Sequence, residues 1–202
     1  MRKMWEFCIV AIVFTCFFVG GQNQSFAQVV PKEEKIEENK IEARFPQFEG
    51  IENAYTQKKI NMDIKVLVAK FIDENKKNKF NKETKVNYKI HYMDEEKVSF
   101  EIEMYAYNGG AHGMTILEGY TYNLKTGETY ALAQLFDFRP SEINQKIFTY
   151  AKKNDVFLFS DFRGIKAYPS NYYLNKDGKP VILFQQYEIA PYSSGILKIA
   201  ME

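Results

Sequence analysis

The sequence predicts an α+β fold in which antiparallel sheets pack against two main helices. Strands occur in adjacent pairs instead of alternating one by one with helices, and two stretches with helical spacing of apolar residues separate these groups of strands. The chain has 202 residues, of which 46% are hydrophobic and 16% aromatic. That composition is sufficient for a packed core and excludes a disordered chain.

Residues 1–27 have the organisation of a secretory signal peptide. A positively charged start precedes an apolar run of 13 residues at 7–19, and small Ser25 and Ala27 stand at the −3 and −1 positions. The alternative is an uncleaved membrane anchor, although the run is shorter than the about 20 residues that a spanning helix needs. The segment predicts an extracytoplasmic protein, secreted, periplasmic or cell-wall associated, that touches a membrane only if the signal is retained.

Cleavage would leave a neutral chain without cysteine. The loss of Arg2, Lys3 and Glu6 brings the formal net charge from +1 to zero, and Cys8 and Cys16 leave as well. The mature chain then has no disulfide, no cysteine nucleophile and no cysteine metal site. A neutral balance also gives no reason to expect a nucleic-acid partner.

The next segment is predicted to be unstructured. Residues 28–44 are rich in charge and poor in bulky side chains, which is typical of a solvated tether, and apolar character resumes at Phe45. The folded module is therefore placed at 45–202. We divide it into a smaller N-terminal part at about 45–105 and a C-terminal part at about 106–202.

The first predicted helix follows this boundary. Lysines fall off its apolar face, Asn53 or Asn61 could cap its start, and no core could accept the charged run at 73–79. Its apolar positions are Ile60, Ile64, Leu67 or Val68, and Phe71.

The hydrophobic period then changes to two. Apolar and polar residues alternate through 85–92 and 98–104, with a polar turn at 93–97. This pattern predicts an antiparallel hairpin with one buried face and one wet face. His91 lies on the polar face opposite a glutamate-bearing strand, and we expect it to be a surface cross-strand partner.

The remaining elements follow from the same signals. A third strand is predicted at 114–122, ending in a turn at Gly127, and a second helix begins near Pro140, since proline suits a first helical position. The inner face of that helix carries Ile143, Ile147 and 150–151. Later strands are predicted at 172–174, 181–184 and 195–199.

The loop at 108–113 is the first candidate site. Gly109, Gly110 and Gly113 surround His112, one of only two histidines in the chain. Glycines permit positive φ and close backbone approach, and a histidine held there could act as an acid–base group or as a hydrogen-bond donor. The alternative is that the glycines build a tight bend and His112 only contacts a neighbouring loop.

The loop at 185–195 is its expected counterpart. Tyr187 and Tyr192 flank Glu188 and Pro191 where a strand should end. Aromatic faces and one carboxylate suit recognition of carbohydrate or protein. Alternatively, Glu188 caps the turn by accepting backbone N–H bonds and Pro191 fixes the bend.

The pattern predicts no catalytic residue, metal site or cofactor. Ser193 and Ser194 lack the surroundings of a nucleophile elbow, and two histidines, one of them on a strand face, do not supply the usual catalytic zinc site.

Several of these segments together resemble a known family. The resemblance is carried by 109–113, 122–127, 135–136 and 186–192, with weaker likeness at 45–50 and around Ile60-Asn61. They are similar to the extracytoplasmic domain shared by the lysozyme-sensing anti-sigma factor RsiV and the peptidoglycan deacetylase PdaC. The likeness covers about 45–202, without the sigma-binding or deacetylase parts of those proteins.

The resemblance implies a function at the cell envelope. Our leading hypothesis is a secreted, non-catalytic binding module for peptidoglycan glycan or for an envelope protein such as lysozyme. One alternative is a cell-wall hydrolase that uses His112 and Glu188 as an acid–base pair, which requires the two side chains to converge. Another is a purely structural envelope domain.

Overall fold

The computed structural model describes residues 28–201 and has the predicted α+β fold. The predicted signal peptide lies outside the described residues. Between residues 28 and 201, the structure has no helix that is both long and apolar enough to cross a membrane. The elements are β1 (Val30–Glu38), β2 (Ile41–Glu49), α1 (Ala54–Lys77), β3 (Glu83–Met93), β4 (Lys97–Tyr107), β5 (Met114–Asn123), α2 (Leu132–Leu135), α3 (Pro140–Lys153), β6 (Tyr172–Leu174), β7 (Pro180–Phe184) and β8 (Leu197–Ala200).

The first sheet has five strands in the order β1-β2-β3-β4-β5, antiparallel except for the parallel β2–β3 pair. Helix α1 packs on it, mainly against β2 and β3. The Asn53 carboxamide caps α1 by accepting from Tyr55 N at 2.9 Å and Thr56 N at 3.2 Å. The helix continues to Lys77, past the predicted end at residue 73, because nearly all of its last charged residues face solvent.

The tether predicted at 28–44 is wrong, because this segment forms β1 and the start of β2. Strand β1 pairs with β2 along its whole length and is the edge of the sheet. An edge strand needs few apolar residues; here Ile36 packs against the core while most of the charged side chains stay exposed. Ion pairs Lys65–Glu34 at 2.8 Å and Lys76–Glu38 at 2.6 Å link the strand to α1.

The second sheet has three antiparallel strands in the order β6-β7-β8. Helix α3 contributes fully buried Ile143 and Ile147 to its core, as the spacing predicted. The change from one sheet to the other follows Asn123, and so does not coincide with the division predicted near residue 105.

The second sheet covers part of the face of β3–β5 that the alternation predicted to be wet. Ser99, Glu101 and Thr121 are buried there. The Ser99 hydroxyl accepts from Leu174 N at 2.7 Å, which joins the two sheets directly. A Cβ at Gly119 would lie 2.3 Å from the carbonyl oxygen of Tyr172, so the sheets can approach only because this residue is glycine.

Candidate functional site

The two loops singled out in the sequence lie against each other. The imidazole of His112 stacks on the ring of Tyr192, with centroids 3.8 Å apart and planes inclined by 21°. The Tyr192 hydroxyl donates to the carbonyl oxygen of Gly113 at 3.1 Å. We use the name two-loop surface for the predicted binding residues of the two loops, of which His112, Gly113 and Tyr192 make the contacts just described: Gly109, Gly110, His112, Gly113, Tyr187, Glu188, Pro191 and Tyr192.

Three amide side chains bind the outer edge of β5, and two of them, Gln185 and Gln186, hold the second loop against the strand that follows the first loop. The third is Asn171. Their partners are the backbone N–H groups of Thr115, Leu117 and Gly119 and the carbonyl of Leu117, at 2.7–3.2 Å. Hydrophobic periodicity carries no information about such bonds, and sequence reasoning missed their role. The one available signal is the pair of adjacent glutamines directly after a buried strand.

The glycines build the bend of the first loop. Gly109 and Gly110 have φ of 90° and 99°, and the Tyr107 hydroxyl donates to Gly110 O at 2.8 Å. At Gly113 a Cβ would lie 2.3 Å from the ring of Tyr105, so a larger residue would displace that ring. Glycine is therefore required at these positions by conformation or space, which was the structural interpretation of the loop.

Tyr187 is presented to solvent in a strained conformation. Its φ is +64°, in the left-handed region that bulky residues rarely adopt, and 52% of the residue is exposed. Its ring lies 5.6 Å from that of Tyr192. Strain of this kind persists only where the surrounding structure enforces it, and it is found most often at sites of function.

Glu188 has the capping role that was the alternative to recognition. Its carboxylate accepts from the backbone N–H of Gln185 at 2.6 Å, which closes the turn. Pro191 precedes a single 3₁₀ turn, Tyr192–Ser194, in the same loop. In the part of the chain that the structure describes, no hydrogen bond or ion pair joins Glu188 to His112. The geometry therefore gives no acid–base pair.

The two-loop surface presents rings rather than a deep cavity. A depression of about 390 Å³ elsewhere, between the β1–β2 turn and the end of α1, includes none of its residues. Residues 28–201 contain no group of three or more histidine, cysteine, aspartate or glutamate side chains placed to hold a metal. What the arrangement offers chemically is stacked aromatic faces, phenol hydroxyls and exposed loop backbone.

His91, predicted to lie on the surface, is instead enclosed between the two sheets. Its side chain is only 12% exposed and stacks on Tyr173 with ring centroids 4.0 Å apart. The predicted glutamate partner is Glu101, whose Oε1 lies 3.4 Å from His91 Nε2, and Lys198 Nζ binds the same carboxylate at 2.8 Å. Burial lowers the pKa of His91, and the nearby Lys89 and Lys198 act in the same direction, whereas Glu101 opposes it.

Two family models match successive parts of the chain. Residues 32–115 match the model described as "Deacetylase PdaC", and residues 125–202 match the model described as "Protein of unknown function (DUF3298)". The first match begins within β1, which agrees with a folded hairpin there. No curated protein matches the sequence significantly.

Solved structures share the fold at low sequence identity. A DUF3298 family member from Bacteroides fragilis is 12% identical, with a TM-score of 0.59 over 87% of this chain and 91% of that one. A DUF3298 family protein from Pseudomonas aeruginosa is 13% identical, with a TM-score of 0.58 over 86% of this chain and 88% of that one. At these identities the likeness establishes the arrangement of elements.

Proposed function

We propose that the chain is a non-catalytic module that binds a cell-envelope ligand outside the cytoplasm, because residues 32–115 and 125–202 match the PdaC and DUF3298 family models. The ligand is a peptidoglycan glycan or an envelope protein such as lysozyme. The signal-like segment at 1–27 supports this location.

One observation carries the proposal: the exposed, strained ring of Tyr187 beside the stacked rings of Tyr192 and His112. Tyrosine rings have few rotatable bonds, so holding them in place beforehand reduces the entropy lost on binding. Their faces contact the apolar faces of sugars or apolar side chains, and their hydroxyls satisfy polar groups at the rim.

The rings are also held rigidly from behind. The Tyr192 hydroxyl is tied to Gly113, and Gln185 and Gln186 fix the second loop to the edge of β5. A surface ordered by side-chain hydrogen bonds on both loops suits recognition without a large rearrangement. The hydrolase alternative has no such support, since the carboxylate of Glu188 is committed to its own turn.

The test measures two ligands in parallel with one set of variants. Co-sedimentation with purified peptidoglycan and titration with hen lysozyme are carried out on the wild type, Tyr187→Ala and His112→Ala. Tyr55→Ala is the matched control, because this tyrosine is 74% exposed on α1, outside the two-loop surface.

We expect the wild type to bind in at least one arm and Tyr187→Ala to weaken that binding by roughly tenfold or more, as for a central aromatic anchor. His112→Ala should weaken it less, because it removes one face of the stack, and Tyr55→Ala should leave it unchanged. Absence of binding in both arms, or equal loss in Tyr55→Ala and Tyr187→Ala, would overturn the proposal.

A further inference from the structure

We infer that a second surface, formed by Met114, Ile116 and Glu118 on β5, binds a protein partner by accepting a lysine or arginine side chain flanked by apolar residues. We call it the β5 face. It is separate from the two-loop surface and does not depend on the function proposed above.

The β5 face is the part of the first sheet that its helix leaves uncovered. The three residues alternate along β5 and pair with Ala106, Met104 and Ile102 of β4, on the face that carries the first core. Helix α1 packs mainly against β2 and β3, and on β5 the core beneath it includes Tyr122 and Tyr120 but neither Met114 nor Ile116. Met114 and Ile116 are consequently 43% and 40% exposed, whereas neighbouring Ile102 is completely buried.

Glu118 is a half-buried carboxylate in apolar surroundings. Ile116 and Tyr120 flank it along the strand, and Ile102 lies opposite. Within residues 28–201 it has no hydrogen bond and no ion pair, unlike buried Glu101, which Lys198 neutralises. Burial raises the pKa of Glu118, the direction expected when a carboxylate loses water without gaining a cation.

That arrangement defines the chemistry of its partner. A half-buried carboxylate without an ion pair among residues 28–201 is complementary to an incoming ammonium or guanidinium group, and the side chains of Met114 and Ile116 suit the apolar residues beside it. Neither offers the polar groups or ring faces that a sugar requires. A protein segment with a cation between apolar side chains matches both the carboxylate and its apolar flank.

The backbone of β5 restricts how that segment binds. The outer N–H groups of Thr115, Leu117 and Gly119 are already occupied by amide side chains. Addition of a strand at this edge would require their displacement. The partner is thus bound through the side chains of the β5 face and not through backbone pairing.

The test uses nuclear magnetic resonance on the full chain with an acetylated Leu-Arg-Leu-Arg-Leu peptide as the probe. The comparison peptide replaces both arginines by citrulline, which keeps the shape and removes the charge. We expect shifts concentrated at residues 114–120 and affinity at least threefold lower for the citrulline peptide. Equal binding of both peptides, or shifts outside this segment, would overturn the inference.

Two variants and one control identify the side chains that bind the peptide. Glu118→Gln should reduce arginine-peptide binding to the citrulline level while the protein stays folded with an equal or higher melting temperature, because the variant removes an uncompensated charge. Ile116→Ser tests the apolar flank independently. Glu103→Gln, an exposed glutamate on the opposite face of β4, is the control.

Equal affinity of the wild type and the Glu118→Gln variant for the arginine peptide would contradict the assignment. Tyr187→Ala should leave probe binding unchanged. Failure of the proposed function and failure of this inference are therefore measured separately.

Discussion

Both histidines stack on a tyrosine, but one pair is buried and the other is exposed. His91 lies 4.0 Å from Tyr173 with planes inclined by 15°, and His112 lies 3.8 Å from Tyr192 at 21°. The first pair is enclosed between the two sheets, and the second stands exposed where the two loops meet.

The two pairs are alike in chemistry and stacking geometry and differ in burial. Around His91 the neighbouring acid is neutralised by Lys198, and no ring face remains for a ligand. Around His112 the adjacent Tyr187 is strained and half exposed. An enclosed imidazole–phenol pair holds sheets together, whereas an open one is available for recognition.

The largest expected effect comes from a substitution between the two sheets, in the enclosed region. Gly119→Ala would place a methyl group 2.3 Å from the carbonyl oxygen of Tyr172, and backbone cannot yield cheaply. We expect a loss of about 3 kcal/mol in the free energy of unfolding, measured by urea denaturation. Gly110→Ala is the control: it meets no atom within 4 Å and should cost only the strain of its positive φ, about 1 kcal/mol.

The next largest effect is expected when the cation of the enclosed region is removed. Lys198→Met leaves Glu101, whose side chain is 11% exposed, without its principal partner. We expect a loss of about 2 kcal/mol at neutral pH, below the range for fully buried pairs because Lys198 is itself partly exposed. The loss should shrink at acidic pH, where a protonated His91 can pair with Glu101. A pH-independent loss would contradict this account.

A smaller effect concerns the pH dependence of the same contact. The folded pKa of His91 is lowered by burial, so the unfolded chain takes up protons first as the pH falls. Its contribution is complete above the unfolded pKa of about 6.5 and decreases as the pH falls from there towards the folded value. His91→Phe, which keeps the stack on Tyr173, should therefore lose less stability than the wild type between pH 7.5 and 5 in urea titrations. An equal loss in both proteins would show that other groups govern this range.

The smallest expected effect tests the backbone strain in the exposed region. Tyr187→Asn places a residue that tolerates positive φ where φ is +64°. We expect the free energy of unfolding to rise by about 0.5 kcal/mol, a part of the strain released, while ligand binding falls. Tyr55→Asn, in the first turn of α1, has no such strain to release and should not gain stability. A net loss in Tyr187→Asn would mean that the ring stabilises its own loop.

Local periodicity predicted most elements, and the exceptions depend on how the elements pack in the complete fold. The hairpin of β3 and β4 and the inner face of α3 follow from spacing alone, and Asn53 is one of the two cap residues that the sequence left open. Strand β1 escaped prediction because its charged side chains need no core on an edge. His91 and Glu101 were assigned to a wet face since alternation cannot reveal that a distant sheet will cover them.

The candidate site was predictable in part. Glycines around His112 and tyrosines around Glu188 marked both loops, and the structure brings them together. The amides that fix the second loop, and the positive φ of Tyr187, depend on the complete fold and leave no periodic trace.

The first sheet has two outer strands, and each discourages association in a different way. Strand β1 carries two lysines and four glutamates, which disfavour docking by another molecule's strand. Strand β5 relies instead on Asn171, Gln185 and Gln186. Loss of these carboxamides would leave three backbone N–H groups of β5 unpaired at a sheet edge, where a strand of another molecule can add. Three neutral side chains thus protect the β5 edge, as charges protect the β1 edge.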